Sequence, residues 1–334
     1  MHAPAQDAGP PHTKARTSLS VKEVRRIACK ERDAWWTVAL VDPLAVPLVR
    51  WTDRHTRITP DQVTWAAFLV GLGAAACFAQ GTRNWLAVGA LLYHASFVLD
   101  CVDGKLARLQ GSGSLFGGWL DFMLDRLRVM CCTVALFGAQ WVLRDDPRYL
   151  LLALAVVFLD MFRYLDSTKV NQVRADMRAQ VSGHPAFEET APPVFIEHLQ
   201  RDRRQRGADL PPPEGEVIDL HEEFRGTYPW YLTARDFLMR SRIRPHLISG
   251  VEFQMAVFIV GPAAGHLAAP VAVAGIGLLV FEVFVVHKLL LSTRDFTQTM
   301  RRLDAVPPPR GPVEGPLRDS TGADAGACAA AVAG

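Results

Sequence analysis

The sequence predicts an all-α integral membrane protein with six transmembrane helices, preceded by an amphipathic helix on the cytoplasmic membrane surface. Half of the 334 residues are hydrophobic, and the mean hydropathy is +0.12. This average hides a strong separation between long apolar runs and polar tracts. A soluble fold would have to bury several uncharged runs of about 20 residues, the length that crosses a bilayer core. A membrane protein is therefore favoured.

Six apolar runs have the length and composition expected of membrane spans. These runs are 62–80, 84–108, 114–143, 149–166, 246–268 and 269–292. An even number of spans places both termini on the same side of the membrane. Lys and Arg are concentrated in the N-terminal tract, the bend between the second and third spans, the long polar segment and the tail. The positive-inside rule then predicts that the termini and this bend face the cytoplasm.

Composition divides the chain into six predicted regions. They are a disordered N-terminus at 1–17, an amphipathic helix and interfacial elbow at 18–58, spans one to four at 59–166, a long cytoplasmic segment at 167–245, spans five and six at 246–292, and a mostly disordered cytoplasmic tail at 293–334. Val24 and Ala28 belong to an apolar face among basic residues, which favours a helix lying on an anionic leaflet. Pro43 and Pro47 are expected to break the following apolar stretch. The long segment is open to three interpretations: a lid, an interaction surface or a mostly disordered region.

Two pairs of aspartates lie at the junction of the second and third spans. Asp100 and Asp103 are one helical turn apart, and so are Asp121 and Asp125, so that each pair shares a helix face. Several glycines separate the pairs. The pattern predicts two helices that meet at a tight bend and bring four carboxylates to one point.

Carboxylates that converge repel one another and are costly near a bilayer, so a cation must offset their charge. Oxygen ligands favour hard divalent ions, Mg²⁺ first and Mn²⁺ or Ca²⁺ next. A two-metal carboxylate site suits chemistry at phosphorus, where the ions neutralise developing charge. Gly104 and Ala107 leave space on the acidic face, and Arg108 at its edge can bind phosphate oxygens.

The spacing of these residues, D-x2-D-G-x2-A-R-x8-G-x3-D-x3-D, resembles the signature of the CDP-alcohol phosphatidyltransferases. Its eight positions are occupied by Asp100, Asp103, Gly104, Ala107, Arg108, Gly117, Asp121 and Asp125. The clear match covers the first two spans and the start of the third. The resemblance implies a membrane enzyme, usually a homodimer. Such an enzyme transfers a phosphatidyl or similar group from a CDP-linked donor, CDP-diacylglycerol first, to an alcohol hydroxyl and releases CMP.

The resemblance also assigns roles. The four aspartates would hold two Mg²⁺ or Mn²⁺ ions, and Asp125 would in addition be the general base on the acceptor hydroxyl. The CDP donor would contact the small residues and the arginine of the motif, which are Gly104, Ala107, Arg108 and Gly117.

The identity of the acceptor and the residues that bind it are predicted from weaker sequence patterns. Basic residues at the cytoplasmic ends of the fourth and fifth spans could bind an acceptor phosphate or simply anchor their helices: Lys169, Arg174, Arg240, Arg242 and Arg244. The LD-x2-LDR pattern from Leu120 to Arg126 resembles the phosphatidylinositol-phosphate synthases and related archaeal enzymes. It implies an inositol-phosphate-like acceptor.

Other functions stay open at this point. A soluble CDP-alcohol could be the donor, with a lipid or specialised-metabolite acceptor. A cation transporter also places acids in spans, although here they cluster at one cytoplasmic end, and a non-catalytic scaffold has no use for four converging acids. No nucleic-acid partner is expected. Lys105 is predicted to face headgroups. Glu252 and Glu282 are predicted to pair with arginines such as Arg163 or to face the shared cavity.

Overall fold

The computed structural model describes residues 20–187, 191–206, 215–244 and 248–305. The predicted disordered N-terminus at 1–17 and the greater part of the predicted tail lie outside these residues. Twelve α-helices occur in the described chain: α1 Val21–Ala28, α2 Asp42–His55, α3 Pro60–Ala79, α4 Arg83–Gln110, α5 Leu115–Arg144, α6 Arg148–Ser182, α7 Ile196–Arg206, α8 Glu222–Thr227, α9 Pro229–Arg240, α10 Gly250–Met255, α11 Gly261–Ala264 and α12 Ala268–Asp304. Two short parallel strands, β1 Val194–Phe195 and β2 Val217–Ile218, pair with each other. A π-helical turn, Thr37–Val41, precedes α2, and another, Ala256–Val260, joins α10 to α11.

Helices lie at all six predicted spans. Among the described helices, α3, α4 and α12 are long and apolar enough to cross a bilayer. The helix pair that includes α10 and α11 is shorter, and α5 carries the acidic and basic residues discussed below. Large apolar side chains such as Leu154 on α6 and Val280 on α12 are exposed, as lipid contact requires. The chain is therefore a helical membrane protein, and the count of six spans stays a prediction.

The chain consists of two compact units. The larger unit comprises the described residues up to Ala175 together with His221–Asp295, and the smaller one comprises Asp176–Leu220 and the residues from Phe296 onward. In the larger unit, α3 packs against α4 and α5, and buried aromatic rings such as Phe78 and Tyr93 belong to its core. In the smaller unit, β1 pairs with β2 and contacts α7.

The N-terminal helix α1 is shorter than the predicted region around it. Ser20 caps it through a capping box, in which the Ser20 N–H donates to Glu23 Oε2 at 2.7 Å and the Glu23 N–H donates to Ser20 Oγ at 3.3 Å. These hydrogen bonds lower the pKa of Glu23. Val24 and Ala28 are buried against the rest of the unit. The apolar face of α1 is thus partly used in packing, and its contact with a membrane surface stays a prediction.

The expectation that prolines break the stretch after residue 37 is wrong. The π-helical turn leads directly into α2, with Pro43 in the first turn of that helix and Pro47 inside it. A proline in the first turn removes no helical hydrogen bond, whereas Pro47 does. Buried side chains at Ala45, Val46 and Val49 hold the helix in place around Pro47.

Lys105 does not face headgroups, contrary to the sequence prediction. Its side chain is 3% exposed, and Nζ lies 3.1 Å from Oδ1 of the equally buried Asp42. Arg242 Nη1 lies 3.2 Å from the other oxygen of Asp42, and Arg242 Nη2 donates to the Lys30 carbonyl at 2.8 Å. Because a buried lysine needs a counter-charge, the first residue of α2 supplies one, and the arginine completes a three-residue cluster.

Residues 221–244 of the long polar segment are ordered and belong to the larger unit. Phe224 of α8 is buried among Tyr228, Tyr231 and Phe284, and Tyr228 Oη hydrogen-bonds with His287 Nε2 at 3.0 Å. Further on, the Arg244 N–H donates to the Asp33 carbonyl at 3.0 Å. The alternative of a mostly disordered segment is therefore wrong for this part.

Replacing Asp42 by Asn is expected to destabilise the protein strongly, because it leaves Lys105 buried without an anion. Breaking a buried pair in this way costs about 3–5 kcal/mol. The matched control is Asp146→Asn, which removes the ion pair between Asp146 and Arg148. The Arg148 side chain is 86% exposed, and an exposed pair of this kind contributes ~0–1 kcal/mol to stability. Thermal unfolding in detergent measures both. Equal melting temperatures for the two variants would show that the Lys105–Asp42 pair does not stabilise the fold. Adding Lys105→Met to Asp42→Asn should recover part of the loss.

Candidate active site

The bend between the acid pairs forms as the sequence predicts. Helix α4 ends at Gln110, and Gly111 follows in the left-handed conformation with φ of 63°, which favours glycine. Ser114 caps α5, where its Oγ accepts from the Gly117 N–H at 2.8 Å. These two caps end α4 and begin α5 within four residues, Gly111 to Ser114. Both acid pairs are thereby brought to one end of the bundle.

A cavity of about 430 Å³ opens at this bend. It is lined by Pro60, Asp61 and Thr64 of α3, by Asp103, Gly104, Ala107 and Arg108 of α4, by the linking residues Gly111 to Ser114, and by Gly117, Gly118 and Asp121 of α5. All four residues predicted to contact the CDP donor therefore line one cavity. The contribution of α3, through Pro60, Asp61 and Thr64, was not predicted from the sequence. An added Cβ at Gly104 would meet just the Arg108 guanidinium, at 3.5 Å.

The four aspartates are close enough to repel one another. Asp100 and Asp121 both repel Asp103. Asp125 likewise repels Asp100 and Asp121. Asp103 Oδ2 accepts a hydrogen bond from Thr64 Oγ1 at 2.6 Å, and its Oδ1 accepts from the Gly104 N–H. In the described part of the chain, neither Asp103 nor Asp121 has a basic group within ion-pair distance.

Asp100 and Asp125, in contrast, are bound by arginine. Arg128 Nη1 lies 3.3 Å from Asp100 Oδ1, and Nη2 donates to Asp125 Oδ1. Arg126 binds the other oxygen of Asp125 and also Asp160, whose second oxygen accepts from Gln254 Nε2 at 2.8 Å. The two arginines thus connect α5 to α4, α6 and α10.

Arg128 is the residue that sequence reasoning missed. It is 1% exposed, hydrogen-bonds Ser96 Oγ at 3.0 Å and places its guanidinium 5.7 Å from the centre of the Tyr93 ring. Gly71 of α3 makes room for it, because a Cβ there would lie 2.6 Å from Arg128 Cδ. A buried arginine one helical turn after Asp125 was visible in the sequence as a charge inside a span, and that signal was not used.

The donor set has the right chemistry for a hard divalent cation. Every candidate ligand is a carboxylate oxygen, and Asp103 and Asp121 bring negative charge to the cavity wall with no ion pair in the described chain. The described residues do not, however, hold a preformed cluster of three or more His, Cys, Asp or Glu side chains. Binding would require the aspartates to reorient, and the predicted pair of ions would in addition require Arg128 to release Asp100 and Asp125.

Of the basic residues predicted for the acceptor, those with described side chains do not line this cavity. Lys169 and Arg174 on α6 do not line the cavity, and the side chain of Arg240 lies outside the described residues. Arg242 is bound to Asp42, and Arg244 Nη2 lies 3.8 Å from Asp33 Oδ1. The last two arginines therefore hold the N-terminal segment, because the long polar segment returns to it at this point.

Arg108 lines the cavity but is also anchored. Its Nε donates to the Ala28 carbonyl at the end of α1, 2.6 Å away, which leaves the terminal nitrogens for another partner. Of the two later glutamates, Glu282 pairs with Arg163 at 3.1 Å as predicted. The expectation of an arginine partner is wrong for Glu252, which instead accepts from Ser249 Oγ at 2.5 Å in the cap of α10.

Gly71→Ala is expected to destabilise the protein by about 1–3 kcal/mol, because its Cβ overpacks the slot of Arg128. Gly73→Ala, two residues along the same helix, is the matched control, since its Cβ would meet only Leu92 Cδ1 at 3.9 Å. Thermal unfolding of both variants in one detergent tests the difference. A Gly71→Ala protein as stable as Gly73→Ala would show that Arg128 moves aside without cost.

Comparisons with known proteins agree with the motif. Residues 57–188 match the family model described as CDP-alcohol phosphatidyltransferase. The chain is 39% identical over 87 residues to archaetidylinositol phosphate synthase of Methanothermobacter thermautotrophicus, covering 26% of this chain and 39% of that one. It is 38% identical over 96 residues to phosphatidylinositol phosphate synthase of Cutibacterium acnes, covering 28% and 42%. With the enzyme of the same name from Corynebacterium glutamicum the identity is 33% over 119 residues, covering 34% and 49%.

The matched segments thus span less than half of the length of these relatives. A solved structure, that of Mycobacterium tuberculosis phosphatidylinositol phosphate synthase in complex with manganese and citrate, has 18% sequence identity and a TM-score of 0.36, covering 73% of this chain and 88% of that one. A likeness this low supports no argument about the chain. The resemblance to the CDP-alcohol phosphatidyltransferases predicted from the acid motif is confirmed for residues 57–188.

Proposed function

We propose that this protein transfers a phosphatidyl group from a CDP-linked donor, CDP-diacylglycerol first, to the hydroxyl of an inositol-phosphate-like alcohol and releases CMP. The observation that carries the proposal is the cavity at the α4–α5 bend, which is lined by six of the eight motif residues. The names of the inositol phosphate synthases among its relatives support the choice of acceptor. The enzyme works as a homodimer, with the cavity and both termini on the cytoplasmic side.

The cavity suits a nucleotide diphosphate bound against backbone. The cavity is lined by the small residues Gly104, Ala107 and Gly117. Because these residues have little or no side chain, phosphates can approach the helix backbones closely. Arg108 has its terminal nitrogens available for phosphate oxygens while Nε holds it to α1. The N-terminal end of α5, with its dipole, faces the same space.

The transfer forms one bond and breaks another. The acceptor oxygen attacks the donor phosphorus that carries the lipid, the bond from that phosphorus to CMP breaks, and the hydroxyl proton passes to Asp125. Both oxygens of Asp125 accept from guanidinium groups in the structure, so one of them must be released before it can take a proton. Mg²⁺ or Mn²⁺, when bound by Asp100, Asp103 and Asp121, supplies positive charge that offsets the charge of the donor diphosphate.

Purified protein in detergent, given CDP-diacylglycerol, Mn²⁺ or Mg²⁺ and inositol 1-phosphate, is expected to release CMP. Asp125→Asn should lower the rate at least about a hundredfold, because the amide cannot accept the proton. Asp146→Asn, which lies in the exposed pair with Arg148, serves as control and should match the wild type. Inositol, glycerol 3-phosphate, serine and soluble CDP-alcohols complete the panel. CMP release that is independent of metal and of Asp125 would refute the proposed reaction.

Gly104→Leu is expected to raise KM for the CDP donor about tenfold or more, since the new side chain fills the cavity. An added Cβ at this position meets only the terminal nitrogens of the Arg108 guanidinium, at 3.5 and 3.9 Å, so folding should be kept. Gly138→Leu on α5, where an added Cβ meets nothing within 4 Å, is the matched control. Initial rates against donor concentration separate the two. An unchanged KM in Gly104→Leu would place the donor outside this cavity.

A further inference from the structure

The charge around the four aspartates is divided unevenly. Asp103 and Asp121 line the cavity without an ion pair in the described residues, whereas Asp100 and Asp125 share the guanidinium of Arg128. A cation is therefore already present on one side of the acid cluster. The other side has hydrogen-bond donors to Asp103 but no cation among the described residues.

Arg128 is held in this position by groups from two helices, α3 and α4. Ser96 of α4 accepts from its Nη1 at 3.0 Å, the ring of Tyr93 lies 5.7 Å from its guanidinium carbon, and Gly71 of α3 supplies the slot for its methylene groups. Its side chain is 2% exposed. The guanidinium is thus a fixed part of the site.

A fixed guanidinium here does two things to an incoming ion. It repels a second cation at close range in a poorly screened environment, and it occupies the lone pairs of Asp100 and Asp125 that such an ion would need. An ion on the side of Asp103 and Asp121 meets neither obstacle. There it would reduce the repulsion that Asp100 and Asp121 exert on Asp103.

We infer that Arg128 takes the place of a second divalent cation, so that the acid cluster binds a single ion, on the side of Asp103 and Asp121. This inference rests on the proposed function and replaces the pair of ions expected from the motif. Arg128 is on this account a positioning residue, which holds Asp125 near Asp100 without contacting substrate. The other carboxylate oxygen of Asp100, which has no ion pair among the described residues, can still contribute to the single ion.

The test counts Mn²⁺ ions bound to the purified full-length chain in detergent. Equilibrium dialysis, with electron paramagnetic resonance of the bound ion, is expected to find a single Mn²⁺ per chain and no coupling between two Mn²⁺ ions. Arg128→Gln should bind a second ion, which raises bound Mn²⁺ about twofold at saturation and introduces Mn–Mn coupling. Arg128→Lys keeps the charge and should bind a single ion.

Arg163→Gln is the matched control, because it removes an arginine from another partly buried pair, that with Glu282, and should leave the Mn²⁺ count unchanged. Two coupled ions in the wild type would overturn the inference, and so would a single ion in folded Arg128→Gln. The wild-type count stands by itself if that variant fails to fold. Absence of bound Mn²⁺ would also overturn it, and CMP release by the same wild-type sample shows whether the proposed function fails with it.

Discussion

The mutual repulsion of four carboxylates at the end of α4 and the beginning of α5 is the constraint on which the rest of the site depends. Such a cluster near apolar surroundings is stable only if cations or hydrogen-bond donors compensate it. The structure compensates its two halves differently. Arginines bind Asp100 and Asp125, while hydroxyl and backbone donors bind Asp103. The cavity therefore keeps a negatively charged wall on one side alone, and this is where a positive ion and a diphosphate can meet.

The same requirement joins distant parts of the chain. Lys105 on α4 is buried with Asp42 at the start of α2, and Arg242 reaches the same carboxylate from the long polar segment. Arg126 connects α5 to Asp160 on α6. Lys105, Arg126 and Arg128 each have a carboxylate partner, because an unpaired buried cation would cost several kcal/mol. Specific pairing of charges thus fixes how the apolar helices, which could pack in many ways, are arranged.

The helices and the bend were predictable because their signals are local. Apolar run length located the spans, and the glycines with Ser114 marked where α4 ends and α5 begins. The behaviour of Pro47 and Lys105 was not predictable from local sequence, since both depend on neighbours that only packing supplies. For the same reason, the sequence left open whether Arg242 and Arg244 bind an acceptor phosphate or anchor their helices. Their carboxylate partners, Asp42 and Asp33, are some two hundred positions away in the chain, which no periodicity can indicate.

Two roles compete for the same atoms at Asp125. A general base needs a free lone pair, whereas the geometry gives both oxygens to guanidinium groups. A carboxylate held in this way is well oriented but weakly basic, because each charge-assisted hydrogen bond stabilises the ionised form. Arg126 has an alternative partner in Asp160 and can release Asp125 without losing its counter-charge. Arg128 is enclosed by Gly71, Ser96 and Tyr93 and has less freedom to move. The oxygen facing Arg126 is therefore the one that can be freed to accept a proton, while Arg128 keeps the carboxylate in place.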